Sequence, residues 1–306
     1  MPVVWDTVFY VESTLEDTLL ERPAAVTADA GGVTVLDFGA SRVLRFDRSG
    51  TLIWSWGQVG SGPNELRAPR DLHLGPGLSH WIYDPQNLRI VVLDTAGAVV
   101  QRIPLQSAML GMTALPAGDK IVVLNIDPTT PFIWLDTAGT LFQRAEAPAP
   151  YLRRLDPLHV QMLGATDPTT GRWAAALSVH DGFFIFEASG ALVSRGWYVD
   201  PPTPPRIETR TRTTGPGQTS TVRRVSPESA AGAITLSPTR LYVVHTGDGR
   251  ARRIDSYAID NGTYVESFEL PFSVSDIAYH DGCFFTLSSR PIPRVIGLCP
   301  KDARLP

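Results

Sequence analysis

The stretch Trp81–Gly97, WIYDPQNLRIVVLDTAG, decides the fold. An apolar run ends in Asp84, a turn of Pro85, Gln86 and Asn87 follows, Arg89 opens a second apolar run, and Asp94 to Gly97 close it. Apolar runs bounded by Pro, Asn, Asp and Gly predict a strand, a loop, a strand and a tight turn. The same phrase stands earlier as VTVLDFGASRVLRFDRSG, Val33–Gly50, with Asp37 in the place of Asp84, Arg42 in that of Arg89 and Gly50 in that of Gly97. Each pair lies 47 residues apart. One unit of this size cannot bury both faces of its small sheet alone, so the units must stack, as propeller blades or solenoid coils do.

Working outward, the closing phrase returns as WLDTAG, Trp134–Gly139, as FEASG, Phe186–Gly190, and more weakly around Ala258–Gly262. This predicts an all-β, six-bladed propeller: Ala24–Trp56, Arg70–Leu105, and about Met112–Gln143, His159–Arg195, Ala233–Leu270 and Val274–Pro300. The last unit lacks a fourth strand of its own, while a β-rich run at Val3–Val11 precedes the first unit. That orphan strand is expected to complete the last blade, which closes the ring and removes exposed sheet edges. The whole chain, 1–306, then reads as a single propeller domain.

Composition agrees with a turn-rich β chain: 26 Gly, 26 Pro and 43% hydrophobic residues in 306. A formal charge of −4 gives no reason to expect nucleic acid as a partner. No apolar run reaches the roughly 18 residues of a transmembrane segment, so a soluble or surface-associated protein is expected. Met1 and Pro2 lead into Val3, Val4, Trp5 and Asp6 with neither a basic start nor an apolar core. If Met1 is the native start, this predicts a cytoplasmic protein; if a leader has been removed, a periplasmic or exported location is equally open. Cys283 and Cys299 are equidistant from Pro291 at the centre of the last hairpin. A cross-strand disulfide and two buried free thiols both fit that spacing.

Two columns recur across the units. Asp37, Asp84, Asn125, Ser178, His245 and Ser288 end the second strand, and Arg42, Arg89, Arg253 and Arg294 open the third. One polar residue per blade could line a ligand site. Because Asp and Arg recur together in the first two blades, a local clamp within each hairpin is the preferred reading.

The phrase WIYDPQNLRIVVLDTAG and the connector GQVGSGPNELRAP, Gly57–Pro69, resemble the NHL-repeat six-bladed β-propellers. The match is strong over Val33–Gly97, fair to Gly190 and weak beyond. The resemblance implies the fold, and its superfamily spans protein- and RNA-binding platforms, calcium-dependent lactonase-like hydrolases and zinc-dependent lyases, so it leaves the activity open. The lactonase-like group usually begins with a Glu-Gly-Pro phrase, which Glu12-Ser13-Thr14 does not match.

A calcium site would need oxygen ligands converging on the channel, and a zinc site several imidazoles. Of six histidines, His80, His180 and His280 are expected at solvated hairpin tips. His73 and His159, on or near inner strands, and His245, at a strand end, remain as a weak metal set for Zn or Ca in the central channel. No nucleophile elbow, phosphate-binding glycine loop or CxxC pair occurs, and the Gly60–Pro63 stretch lacks the Lys and Ser/Thr of a phosphate loop.

The period breaks once. Gly190 and Gly262 stand 72 residues apart against the usual 47, and the surplus falls within 196–232. There PPTPP, Pro201–Pro205, is followed by RIETRTRTTGPGQTSTVRRV, Arg206–Val225, in which Thr and Arg alternate on both sides of Gly215-Pro216-Gly217. This predicts a protruding hairpin at about 201–225. Its Arg206, Arg210, Arg212, Arg223 and Arg224 against Glu208 make it basic in an acidic protein. Without interleaved aromatics, base stacking is unsupported, and an acidic protein surface is preferred over anionic lipid. The expected function is a non-catalytic protein-binding or scaffolding propeller, an extrinsic subunit of a larger complex, with contact to a membrane surface or membrane complex left open. The alternative is a metal-dependent hydrolase or lyase with its site in the channel, and a third reading is a small-ligand binder that uses the channel mouth without chemistry.

Overall fold

The computed structural model describes residues 3–14, 19–106, 111–203, 206–215, 218–225, 230–246 and 250–301. Within the arm, the side chains at 212–219 and 224–225 lie outside that description.

Strand β1 (Trp5–Glu12) comes first in the chain. Blade one is β2 (Pro23–Asp29), β3 (Gly32–Asp37), β4 (Arg42–Phe46) and β5 (Leu52–Trp56). Blade two is β6 (Asp71–Leu74), β7 (His80–Asp84), β8 (Arg89–Leu93) and β9 (Val99–Pro104). Blade three is β10 (Thr113–Ala117), β11 (Lys120–Leu124), β12 (Phe132–Leu135) and β13 (Leu141–Ala145). Blade four is β14 (Met162–Thr166), β15 (Trp173–Leu177), β16 (Phe183–Phe186) and β17 (Leu192–Gly196). The arm, β18 (Ile207–Gly215) with β19 (Gln218–Val225), precedes blade five: β20 (Ala231–Leu236), β21 (Arg240–His245), β22 (Arg253–Ala258) and β23 (Tyr264–Glu269). Blade six is β24 (Asp276–His280), β25 (Cys283–Ser288) and β26 (Arg294–Pro300), and β1 supplies its fourth strand. β1 runs antiparallel to β26 with Trp5 opposite Pro300 and Glu12 opposite Arg294, so the chain's two ends are sewn into one sheet.

The first strand of each blade lies innermost. β2 packs against β6 and β24, β10 against β6 and β14, and β20 against β14 and β24, which completes a ring around a channel. The core is divided accordingly. Each buried cluster straddles two neighbouring blades: Val26, Val35 and Phe46 of blade one meet Phe9, Ala278 and Val295 of blade six. Trp134 and Phe132 of blade three likewise meet Trp173 and Phe186 of blade four. This is why a 47-residue unit recurs: its apolar faces are covered only by the next unit.

The repeated closing phrase has a local cause. In Asp94–Gly97 the Asp94 carboxylate accepts N–H bonds from Ala96 at 2.9 Å and Ala98 at 2.8 Å, and Gly97 sits at φ +83° beside a register shift at Val92/Leu93. A side chain there would strike Trp54 as well as strain the backbone, so glycine is required.

In blades one and two the Asp/Arg pairs act as clamps. Asp37, fully buried, accepts from the backbone N–H groups of Glu21 at 3.0 Å and Arg22 at 2.8 Å, with Arg42 Nε 3.7 Å away. Asp84 accepts from Arg67 N–H and from Asn87 Nδ2, while Arg89 donates to the carbonyls of Gly62 and Glu65. The GSGPNEL connector is thereby tied to blade two. Cys283 and Cys299 face each other across β25 and β26 and form a disulfide, with Cα atoms 4.4 Å apart.

Among the described residues, no helix is long and apolar enough to cross a membrane.

Candidate functional site

The inner strands enclose a cavity of about 570 Å³ along the channel, within the range of small-molecule sites. Its polar groups come from both ends of those strands: Asp29 closes β2 and Asp167 follows β14, whereas Asp71 and Asp276 open theirs. Asp71 opens β6, Thr113 opens β10 and Asp276 opens β24, so three residues scattered along the chain reach one end of the channel. His73 Nε2 lies 3.1 Å from the Asp71 carboxylate and 3.1 Å from Thr113 Oγ1, and the Thr113 hydroxyl donates to Asp71 Oδ2 at 2.5 Å. Asp71, His73 and Thr113 thus form one hydrogen-bonded group joining blades two and three. Asp71 keeps about a quarter of its side-chain surface accessible, and it lines the cavity with Asp276.

The two carboxyls are tuned in opposite directions. Burial pushes Asp276 well above the usual carboxylate range and the charge of Asp71 adds to this, while N–H bonds from Val26 (2.8 Å) and Ile277 only partly offset it. Burial also works to raise Asp71. There the neighbouring His73 imidazole and the hydrogen bonds from His73, Thr113 and Leu72 outweigh it, and Asp71 lies below its ordinary value.

The metal set is dispersed. His73 faces this group in the channel wall, His159 lies in the short helical turn Pro157–His159 outside the inner strands, and His245 ends β21 opposite Arg253. Among the described residues, no group of three or more His, Cys, Asp or Glu side chains is placed to hold a metal ion. His80 is a correction. It lies in β7 and is fully buried, edge-on to Trp54 with ring centroids 5.5 Å apart, because the turn closes at Ser79 and His80 is already the first residue of the strand, opposite Leu74. Burial, and then the positive charge of Arg45, lower its pKa to about 4.

The arm is a second candidate surface. β18 and β19 pair only with each other, Ile207 opposite Val225 through Gly215 opposite Gln218. The hairpin meets the ring at the Pro157–His159 turn, where Arg223 forms an ion pair with Asp156. Arg210 is exposed and reaches Glu208 of its own strand at 3.4 Å; Arg206, also exposed, stands at the base. The side chains of Arg212 and Arg224 lie outside the described residues, as do Pro204, Pro205, Pro216 and Gly217. Arg223 therefore ties the arm to the ring, and the side chains of Arg206 and Arg210 are exposed.

The Asp71–His73–Thr113–Asp276 group escaped the sequence reading because no spacing joins its members. The available signal was positional: a polar residue opens the inner strand in blades two, three and six.

No protein-family model and no curated protein matches the chain. Solved structures do match in shape. Virginiamycin B lyase from Staphylococcus aureus superimposes with TM-score 0.58 at 12% identity, over 97% of this chain and 99% of that one. The Cps50 (Swd1) β-propeller domain of Myceliophteria thermophila gives 0.54 at 9% identity, over 96% and 99%. A Bacteroides fragilis protein described as exported gives 0.59 at 9% identity, over 97% and 96%. At such identities the likeness shows the propeller fold alone.

Proposed function

We propose that this protein is a non-catalytic, NHL-like binding propeller, an extrinsic subunit that docks one or more partner proteins through the arm. One observation supports this most: the arm's strands pair with none of the six blades, and it leaves Arg210 and Val222 exposed. A two-stranded ribbon on its own is marginal in water, so a surface that receives it would add the missing burial. Arginines there suit carboxylates and carbonyls on an acidic partner, and a membrane-bound complex fits the same chemistry. The Cys283–Cys299 disulfide supports the periplasmic or exported alternative for location, since such bonds persist in oxidising compartments. The metal-dependent hydrolase or lyase reading has less behind it, because only one of its three imidazoles faces the channel group.

The test is native isolation of the full chain and of a variant lacking residues 201–225, each followed by mass spectrometry of stoichiometric companions. Partners present with the full chain and absent with the variant support the reading. Partners retained by the variant overturn the arm's role.

A further inference from the structure

We propose that the Asp71–Asp276 end of the channel is a binding site for a small organic cation, one carrying an ammonium or guanidinium group. The inference concerns a site apart from the arm and does not depend on it.

The cavity wall is acidic. It carries Asp29, Asp71, Asp167, Asp276 and Asp281 against a single arginine, Arg48. Asp29 is already neutralised by Arg45, and Arg48 is turned to the carbonyl of Ala30 at 2.8 Å. Asp167 is occupied by the turn that follows it, through Thr169 N–H and the Thr170 hydroxyl. At the other end, Asp71 has His73 beside it, whereas Asp276 is held by backbone N–H groups. Two carboxyls bordering one low-dielectric space repel, and a cation between them removes that repulsion.

A second observation points the same way. Thr27 of the inner strand β2 stands in the same wall, is more than nine-tenths buried, and its hydroxyl has no hydrogen-bond partner. Buried polar groups are ordinarily satisfied, so acceptors left open on a cavity are acceptors for what enters it. An ammonium brings three donors and a guanidinium five, which matches carboxylates and a hydroxyl spread around a space.

A metal ion fits less well. His73 Nε2 is already engaged with Asp71 and Thr113, no three-ligand group stands among the described residues, and about 570 Å³ far exceeds what an ion fills. An organic cation uses that volume, with its apolar part against Leu72, Ile234 and Ala278.

The experiment is isothermal titration of the full chain at pH 7 and low salt with putrescine, agmatine and cadaverine. Butane-1,4-diol serves as the uncharged isostere of putrescine, and CaCl₂ and ZnCl₂ are the metal controls. The expected result is saturable 1:1 binding of at least one of the three cations, no binding of the diol, and at least tenfold weaker binding to Asp276→Asn. The wild-type comparison of diamine with diol needs no variant, so a misfolded Asp276→Asn chain leaves the test intact. Absence of saturable binding by all three cations, equal binding of the diol, undiminished binding to a folded Asp276→Asn chain, or tighter binding of Ca²⁺ or Zn²⁺ overturns the proposal.

Discussion

His80 shows how one residue's setting alters the behaviour of the whole chain. Folded, it is enclosed between Trp54 and the Arg45–Asp29 pair and holds a neutral ring with a pKa near 4; unfolded, it returns to about 6.5. Above pH 6.5 both states leave it neutral and it adds no pH dependence. As pH falls from 6.5 towards 4 the unfolded chain takes up the proton and the folded one does not, so stability declines. At about 1.4 kcal/mol per pH unit, this one group removes about 2 kcal/mol between pH 7 and pH 5. Urea unfolding at the two pH values, for wild type and His80→Phe, measures it: the variant should lose less on acidification by that amount. An identical loss in both would show that His80 titrates normally. The sequence hid this behaviour because His80 follows Gly77, Leu78 and Ser79, which read as a turn, and nothing local signals that β7 has begun. The Asp84–Arg89 clamp was legible for the opposite reason: its members sit five residues apart and recur together at Asp37 and Arg42.

At the scale of elements, the repeat exposed the hairpins because each carries its turn chemistry in a contiguous phrase. The blade limits read from it, such as Ala24–Trp56 against the observed Pro23–Trp56, differ by a residue at the start. What a phrase cannot carry is contact between blades. The Asp71–His73–Thr113 group is assembled from β6 and β10, and Asp276 joins from β24 more than 160 residues later. The arm was visible as a break in the period, but its internal use of Arg223 was not, since Asp156 lies 67 residues away. In the last hairpin, Cys283 and Cys299 could be placed opposite each other from the sequence, whereas whether they bond depends on sulfur chemistry that spacing leaves open. The bond closes a loop with a sequence separation of 16. A loop of that order corresponds to about 3 kcal/mol in the chain-entropy description. The Cys283→Ser/Cys299→Ser double variant should lose about that much in chemical denaturation, and reductant should lower the wild type towards it. Equal stability of both forms would remove the disulfide from the account.

For the molecule as a whole, the decisive feature is that no blade has a core of its own. Apolar surface is shared pairwise around the ring, so the junction between blades six and one is as necessary as the rest, and it depends on β1 bringing Phe9 and Val11 to Val26 and Phe46. An open ring would expose that surface together with the edge of β26. The measurement that tests this most directly is native-state hydrogen exchange, followed by mass spectrometry of peptides covering residues 5–12 and 294–300. Closure predicts that both exchange slowly and lose protection in the same cooperative step as the inner strands β2 and β24. Residues 5–12 exchanging at free-chain rates while β2 and β24 stay protected would contradict it.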